Sequence, residues 1–394
     1  MTKMKTIDDL DVAGQRAFVR VDFNVPMDGT RITDDARIRA ALPTLQALLD
    51  KGASLVVAAH LGRPKGHDPK LSMAPVAERL SELLGRPVKL APGVVGDDVT
   101  AMAEALQPGE VMMLENVRFE EGETVNDPTL ALAYAAQADY YINDAFGAAH
   151  RAHASTEGIA KHVKAAAAGL LMQREVETLN GIVKDPARPL VAIVGGAKVT
   201  DKIGVIDAFL DQADAILIGG AMCFPFFAAQ GHKVGNSLCE EEGIEPARRA
   251  LADAEAKGCR LLLPIDLLAG DEFSADATVT PLNRVDVPHG LMGLDIGPLT
   301  ANLYREVIMA AGTVFWNGPM GAFELEPFSI GTRAVAQAMA DTKAVTVVGG
   351  GDSAAALAQF GLEDQVTHLS TGGGASLELI EGKDLPGVTI LEHK

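Results

Sequence analysis

Cysteine is scarce in this 394-residue chain, which has only Cys223, Cys239 and Cys259. Three thiols cannot all pair and none sits in a CxxC arrangement, so a reducing compartment is expected, without a disulfide framework or a thiolate metal site. Long apolar runs are missing as well. No stretch approaches the roughly 20 residues of a membrane span, and the opening MTKMKTIDDL has no apolar signal core. A cytoplasmic protein with no membrane partner is the expectation. Positive charge is in deficit, 34 Lys and Arg against 53 Asp and Glu, for a formal net charge of −19. Such a surface repels nucleic acid and anionic lipid over most of its area. It still permits a small anionic ligand, because a local arginine cluster dominates within a Debye length of roughly 8 Å. Several signatures are absent too. Without GxxxxGK[ST] the chain is not a P-loop enzyme, and without HRD and DFG it is not a protein kinase. No GxGxxG with a later acid follows the first strand, which weighs against a nicotinamide dehydrogenase.

What is present reads as α/β. The composition, 48% hydrophobic and 22% charged, is that of a globular chain, and 394 residues are more than one core serves comfortably. In the first half, strand patterns at Ala17–Val25, Ser54–Leu61, Val111–Val117 and Tyr140–Ala145 alternate with helical ones at Ile38–Lys51, Ala74–Leu84 and Thr129–Ala138. Ser72 is the expected N-cap of the second helix, with Pro75 early in it. The second half repeats the rhythm, from Leu190–Val194 through Val366–Leu369. Alternation at this spacing predicts two doubly wound, mostly parallel sheets of Rossmann type. The expected domains are 1–168 and 186–379, joined by a connecting helix over 169–185 and facing each other across a cleft. The tail 380–394 is assigned to either, and the run Ala165–Ala168 is read as helix.

Ligands of open parallel sheets bind outside the carboxyl ends of the strands. In the first half those ends read Arg20-Val21-Asp22-Phe23-Asn24, His60-Leu61-Gly62-Arg63-Pro64, Glu115-Asn116-Val117-Arg118-Phe119 and Asn143-Asp144 running on to His150-Arg151-Ala152-His153. Arg37 and Arg39 precede the first long helix. Arginines gathered at equivalent ends in an acidic protein make an anion pocket, since the guanidinium fork matches phosphate and carboxylate. Taken singly, each Arg is as well explained by a structural ion pair, as Arg118 with Glu115, and each His by a structural role. Asp22 and Asn24 suit a hydroxyl-bearing ligand or the cap of a turn.

The second half carries glycine turns directly after strands: Gly195-Gly196, Gly219-Gly220, Gly318-Pro319-Met320-Gly321, Gly349-Gly350-Gly351 and Gly372-Gly373-Gly374. Glycine admits close approach of backbone N–H groups to phosphate, and a following helix N-terminus adds a favourable dipole. Lys198 and Lys202, four apart, would share one helix face and tolerate each other around a polyphosphate; a solvated lysine face is the plain alternative. Asp352 suits Mg²⁺ or a simple N-cap. Glu324 suits a ribose or the surface. An anion pocket in one half and nucleotide-like turns in the other point to a kinase with its two substrates on separate domains. A nicotinamide dehydrogenase leaves the arginines unexplained, and a non-catalytic nucleotide-binding protein accounts for the glycine turns alone.

Eight blocks, RVDFNVP (Arg20–Pro26), HLGRP (His60–Pro64), ENVRF (Glu115–Phe119), AHRAHAST (Ala149–Thr156), GGAKVTDK (Gly195–Lys202), WNGPMG (Trp316–Gly321), GGGDS (Gly349–Ser353) and STGGGAS (Ser370–Ser376), resemble in order the signature blocks of phosphoglycerate kinases. The resemblance covers essentially the whole chain. It implies reversible phosphoryl transfer between ATP plus 3-phosphoglycerate and ADP plus 1,3-bisphosphoglycerate, in a monomer that uses Mg²⁺. It implies that Asp22, Phe23, Asn24, Arg37, His60, Leu61, Gly62, Arg63, Arg118 and Arg151 hold the acid. Lys202, Gly293, Glu324, Gly350, Gly351, Asp352 and Ser353 would hold the nucleotide, with Gly293 near the base and Asp352 as the metal contact. Arg37, Lys198, Gly373 and Gly374 would stabilise the transferring group. Pro225 and Ala148 stand where the family often has threonine, and Ala322 where it commonly has valine. Ionised acid needs no general base, so catalysis is expected from positioning and charge stabilisation, with the domains closing about the connecting helix.

Overall fold

The runs richest in β-branched residues, such as Leu55-Val56-Val57 and Leu190–Val194, are apolar without alternation, the pattern of strands covered on both faces. The computed structural model describes Met4–Glu392 and divides into two units. The first extends to Glu177 and takes in the stretch from Asp384, and the second is Thr178–Lys383. In the first unit six strands, β1 (Arg16–Arg20), β2 (Ser54–Ala58), β3 (Val88–Leu90), β4 (Val111–Met113), β5 (Tyr140–Asn143) and β6 (Ala165–Ala168), form one sheet. It is wholly parallel, in the order β3-β4-β2-β1-β5-β6. Its longer helices are α1 (Ala36–Asp50), α2 (Ala74–Leu84), α3 (Asp97–Glu104) and α4 (Pro128–Ala135). One core packs Val19, Leu55, Val57 and Ile142 of the sheet against Ile38, Leu45, Val76 and Leu80 of α1 and α2.

The observed strands stop short of the expected ones. Beyond Arg20, Ala58, Met113 and Asn143 the polar blocks leave the ladder as loops, and these loops carry Asp22, Asn24, Arg63, Arg118 and Arg151. Ala165–Ala168 is strand, not helix. Four residues cannot nucleate a helix alone, whereas pairing with β5 and with Lys5 O satisfies their backbone, and the small side chains of Ala167 and Ala168 fit a fully buried position. The N-cap of α2 is Met73, not Ser72: the Ser72 hydroxyl is drawn to Glu115 (2.5 Å) and accepts from Ala74 N–H (3.2 Å). Arg37 and Arg39 lie inside the first turn of α1 rather than before it.

Helix α5 (Leu170–Lys184) begins in the first unit and ends in the second. The C-terminal stretch is held on the first unit, where Asn143 Nδ2 donates to Gly387 O (3.0 Å) and Lys5 N–H to Leu391 O (3.0 Å). In the second unit, chain order gives β7 (Leu190–Val194), α6 (Ile203–Leu210), β8 (Ala215–Ile218), α7 (Cys223–Ala229), α8 (Ile244–Lys257) and β9 (Arg260–Leu262). Then come β10 (Leu267–Gly270), β11 (Thr280–Leu282), β12 (Met292–Ile296), α9 (Pro298–Met309), β13 (Thr313–Asn317), α10 (Ile330–Asp341), β14 (Val345–Gly349), α11 (Gly351–Phe360), β15 (His368–Leu369) and α12 (Gly373–Ile380). A parallel sheet runs β9-β8-β7-β13-β14-β15. The order reverses direction between β7 and β13, the switch point at which such sheets bind ligands. A separate antiparallel sheet, β11-β10-β12, has no counterpart in the expected pattern.

Candidate active site

In the first unit the loop after β1 turns Asp22 toward α1, and Arg37 Nη1 donates to its Oδ2 (2.8 Å). Asn24 Oδ1 accepts from Gly62 N–H (2.8 Å), and Gly62 O accepts from Arg118 Nη1 (2.7 Å), so three strand ends are stitched into one ledge. Gly62 has φ +63, a left-handed conformation that favours glycine. Phe23 and Leu61 bury their side chains in the core, leaving only their main chain to face a ligand. Arg118 does not pair with Glu115, whose carboxylate is occupied by Ser72 Oγ and the N–H groups of Met73 and Asn116. Its Nε is buried with no partner. An orphaned guanidinium donor is costly unless an anion arrives to accept it.

Arg118 lines a cavity of about 670 Å³ with Arg63, Lys65, Arg151 and His153, and Glu120 and Glu121 stand on its wall. Arg151 Nε donates to His150 Nε2 (3.0 Å). Asp22, Asn24, Arg37 and His60 lie outside its wall, and of these Asn24 is joined to Arg118 through Gly62. Arg39 is turned away and paired with Asp35 (2.8 Å). Burial, reinforced by Arg20 and Arg118, pushes His153 down to about 4. Beneath the cavity lies a layer that residue-by-residue reading did not single out. Arg20 and Glu123 are almost wholly buried. Arg20 Nε donates to Ser155 Oγ (2.7 Å), and Ser155 Oγ donates to Glu123 Oε1 (2.5 Å). The available signal was an arginine closing the apolar run Ala17-Phe18-Val19 within the strand RAFVR.

In the second unit a cavity of about 800 Å³ brings together Gly293, Glu324 and Asp352, with an apolar wall that includes Phe224, Leu238, Phe273 and Met292. Phe224 comes so close to Gly293 that a β-carbon there would overlap its ring. Lys198, Lys202, Gly350, Gly351, Ser353, Gly373 and Gly374 do not line this cavity, but lie at the carboxyl ends of β7, β14 and β15. Lys198 is exposed in the loop before α6, so it does not share a helix face with Lys202; α6 begins only at Ile203. Lys202 donates to Asn317 Oδ1, and burial lowers its pKa while Asp352 opposes the shift. Asn317 also donates through Nδ2 to Gly349 O (2.7 Å) and accepts from Gly195 N–H (2.9 Å). It ties three turns together, a role that the reading of WNGPMG did not assign to it.

Both triple-glycine turns open helices, with Gly350 as N-cap of α11 and Gly372 as N-cap of α12. Asp352 is therefore not a cap. It sits exposed in the first turn of α11, and its carboxylate makes no hydrogen bond or ion pair with the described residues. Ser353 is buried, its Oγ accepting from Gly318 N–H (2.6 Å). Pro225 is the third residue of α7, where no intrahelical partner awaits its missing N–H, so the helix forms. Ala148 is buried in a short 3₁₀ turn, and Ala322 N–H donates to Leu294 O (2.8 Å) beside the cavity.

The model of the phosphoglycerate kinase family matches residues 7–383. The chain belongs to the phosphoglycerate kinase family. It is 56% identical to a phosphoglycerate kinase of an Anaeromyxobacter species over 99% of this chain and 100% of that one. It is 51% identical, at the same coverage, to one from Chloroherpeton thalassium. The structure of the Coxiella burnetii phosphoglycerate kinase superposes with a TM-score of 0.90 at 42% identity, covering 99% of both chains. The reaction is thus reversible phosphoryl transfer between ATP with 3-phosphoglycerate and ADP with 1,3-bisphosphoglycerate, a kinase step of glycolysis. No helix among the described residues is long and apolar enough to cross a membrane.

Proposed function

We propose that each unit holds one substrate and that transfer is direct and in line. The observation that carries this reading is the contrast between two cavities, one in which Arg63, Lys65, Arg118 and Arg151 outnumber Glu120 and Glu121, the other largely apolar with glycine-capped helices beside it. The acid's phosphate meets the arginines, whose forks pair with its oxygens. Asp22, Asn24 and His60, with the main chain of Phe23, Leu61 and Gly62, orient the glycerate end, and Arg37 supports the carboxylate that attacks. The base of the nucleotide rests against Gly293 and the apolar wall, its ribose on Glu324. Its phosphates meet the N-terminus of α11 at Gly350, Gly351 and Ser353, with Lys202 alongside. Lys198, Arg37 and the N–H groups of Gly373 and Gly374 stabilise charge on the transferring oxygens.

Asp352 fits a magnesium ion brought by the nucleotide, being an exposed carboxylate free of ion pairs beside a phosphate cradle. When bound, the ion neutralises charge on the phosphate oxygens. Three buried or half-buried free thiols and a strongly negative surface support a cytoplasmic protein without nucleic-acid partners; the monomeric state rests on the family resemblance. Ligands on different units must be brought together for in-line transfer, so binding of both should compact the molecule in small-angle scattering. In a coupled ATP assay with 3-phosphoglycerate, Arg37→Ala should lose about 3 kcal/mol of transition-state stabilisation, near 100-fold in turnover, with nucleotide binding intact. Unchanged turnover would remove Arg37 from the site.

A further inference from the structure

We propose that Arg20 is a positioning residue for the acid site, fixing His60 as the neutral tautomer that carries its proton on Nε2. The role given to His60 rests on the substrate reading above; the tautomer itself does not.

Arg20 closes β1 and is only 1% exposed. Its Nη1 donates to Val21 O, its Nε to Ser155 Oγ (2.7 Å), and its Nη2 lies 3.1 Å from His60 Nδ1. A guanidinium has donors and no lone pair to offer. His60 Nδ1 must therefore accept in this contact, and an imidazole nitrogen that accepts bears no proton. The ring's one remaining proton sits on Nε2. The bonds to Ser155 Oγ and Val21 O hold the Arg20 guanidinium in place beside His60. Ser155 is in turn held by Glu123, through Oγ to Oε1 (2.5 Å) and N–H to Oε2 (3.1 Å). Glu123 is the acid set against Arg20: burial raises its pKa and the Arg20 charge opposes the rise. Engaged by Ser155 and Tyr134, it makes no hydrogen bond with His60.

The charged groups that act most strongly on His60 are Arg20, Arg118, Arg37 and His153, while the Asp22 carboxylate on the same ledge is engaged by Arg37. Three of these four are cations, and His153 is itself held neutral above about 4. Burial first, then these cations, hold the His60 pKa well below its ordinary value. An ordinary histidine changes charge between about pH 5 and 8, and in an anion site that change would make affinity follow pH. A histidine locked as an Nε2–H donor instead offers one hydrogen bond of constant strength to a hydroxyl or carboxylate oxygen of the acid.

The test is long-range proton–nitrogen NMR of the ¹⁵N-histidine-labelled full-length enzyme. His60 is expected as the Nε2–H form throughout about pH 5 to 8. The Nδ1–H form, or ordinary titration in that window, would overturn the proposal. In Arg20→Gln, His60 should regain a titration. The KM for 3-phosphoglycerate should then fall toward low pH, on the order of tenfold, as a charge-assisted bond replaces a neutral one, while the KM for ATP stays flat. A variant in which His60 remains neutral and the KM shows no new limb would remove Arg20 from this role. Should the variant not fold, the wild-type spectrum alone decides. If 3-phosphoglycerate leaves a correctly tautomeric His60 signal unmoved, the substrate reading fails and the tautomer stands.

Discussion

Replacing Glu123 by Gln removes the acid set against Arg20 in the buried layer beneath the cavity lined by Arg118 and Arg151. Glu123 is 0% exposed, and Arg20, linked to it through Ser155, is 1% exposed. Deleting one member of a buried charge pair costs about 3–5 kcal/mol, chiefly by leaving the other uncompensated. Here Ser155 bridges the pair and Gln retains a carbonyl for Ser155 N–H, so the lower end applies, about 3 kcal/mol. With a urea slope of about 3 kcal/mol/M for a unit of this size, the midpoint of the first unit moves down by about 1 M. The sole tryptophan, Trp316, is buried in β13 of the second unit. Tryptophan fluorescence thus follows that unit while far-ultraviolet circular dichroism follows both. The expected result is an earlier dichroism phase with an unmoved fluorescence phase. A shift below about 0.3 M, or one shared equally by both probes, would refute the argument that Glu123 compensates Arg20. Combining Arg20→Met with Glu123→Leu should cost less than the two single changes summed, because no charge is then left alone.

Gly293→Ala drives a β-carbon into the Phe224 ring, which is 2% exposed and packed edge-on against Phe227. Overpacking of this kind costs about 1–3 kcal/mol; kinetics should show a several-fold rise in the KM for ATP with the KM for 3-phosphoglycerate unchanged. Asp295, buried in β12 and accepting from Gly331 N–H (2.7 Å) and Ile296 N–H (2.9 Å), is pushed by burial up to about 8. The folded unit then keeps a proton that the unfolded chain releases near pH 4. Its stabilising contribution is complete below that pH and is lost as the pH rises through about 8. Urea titrations followed at Trp316 should show wild-type stability declining over this range relative to Asp295→Asn; parallel pH profiles would mean that Asp295 is ionised in the fold.

Most of the parallel core was legible because its strands are short, apolar and β-branched, and burial on both faces leaves no alternative reading for a run such as Leu190–Val194. The loops after β1, β2, β4 and β5 were legible for the opposite reason: Asp22, Arg63, Arg118 and Arg151 are polar residues interrupting apolar runs. Ala165–Ala168 misled because alanine favours helix in isolation, while partner strand and Lys5, remote in sequence, decide its state. The lysine pair misled because i, i+4 spacing assumes a helix, and Lys198 precedes it. The sheet β11-β10-β12 escaped because its short strands, Thr280–Leu282 among them, mix polar residues and proline with apolar ones.

Residue order alone determined the alternation of strands and helices, the placement of polar blocks at strand ends, and the eight motifs that mark the family, because each depends on neighbours within a few residues. Only the tertiary structure decided that Asn317 binds the turns at Gly195, Lys202 and Gly349, that Arg20 and Glu123 meet through Ser155, and that Arg20 stands at Nδ1 of His60. Those are contacts between residues tens to more than a hundred positions apart. Their energies come from burial and donor direction, which exist only once the chain has closed around them.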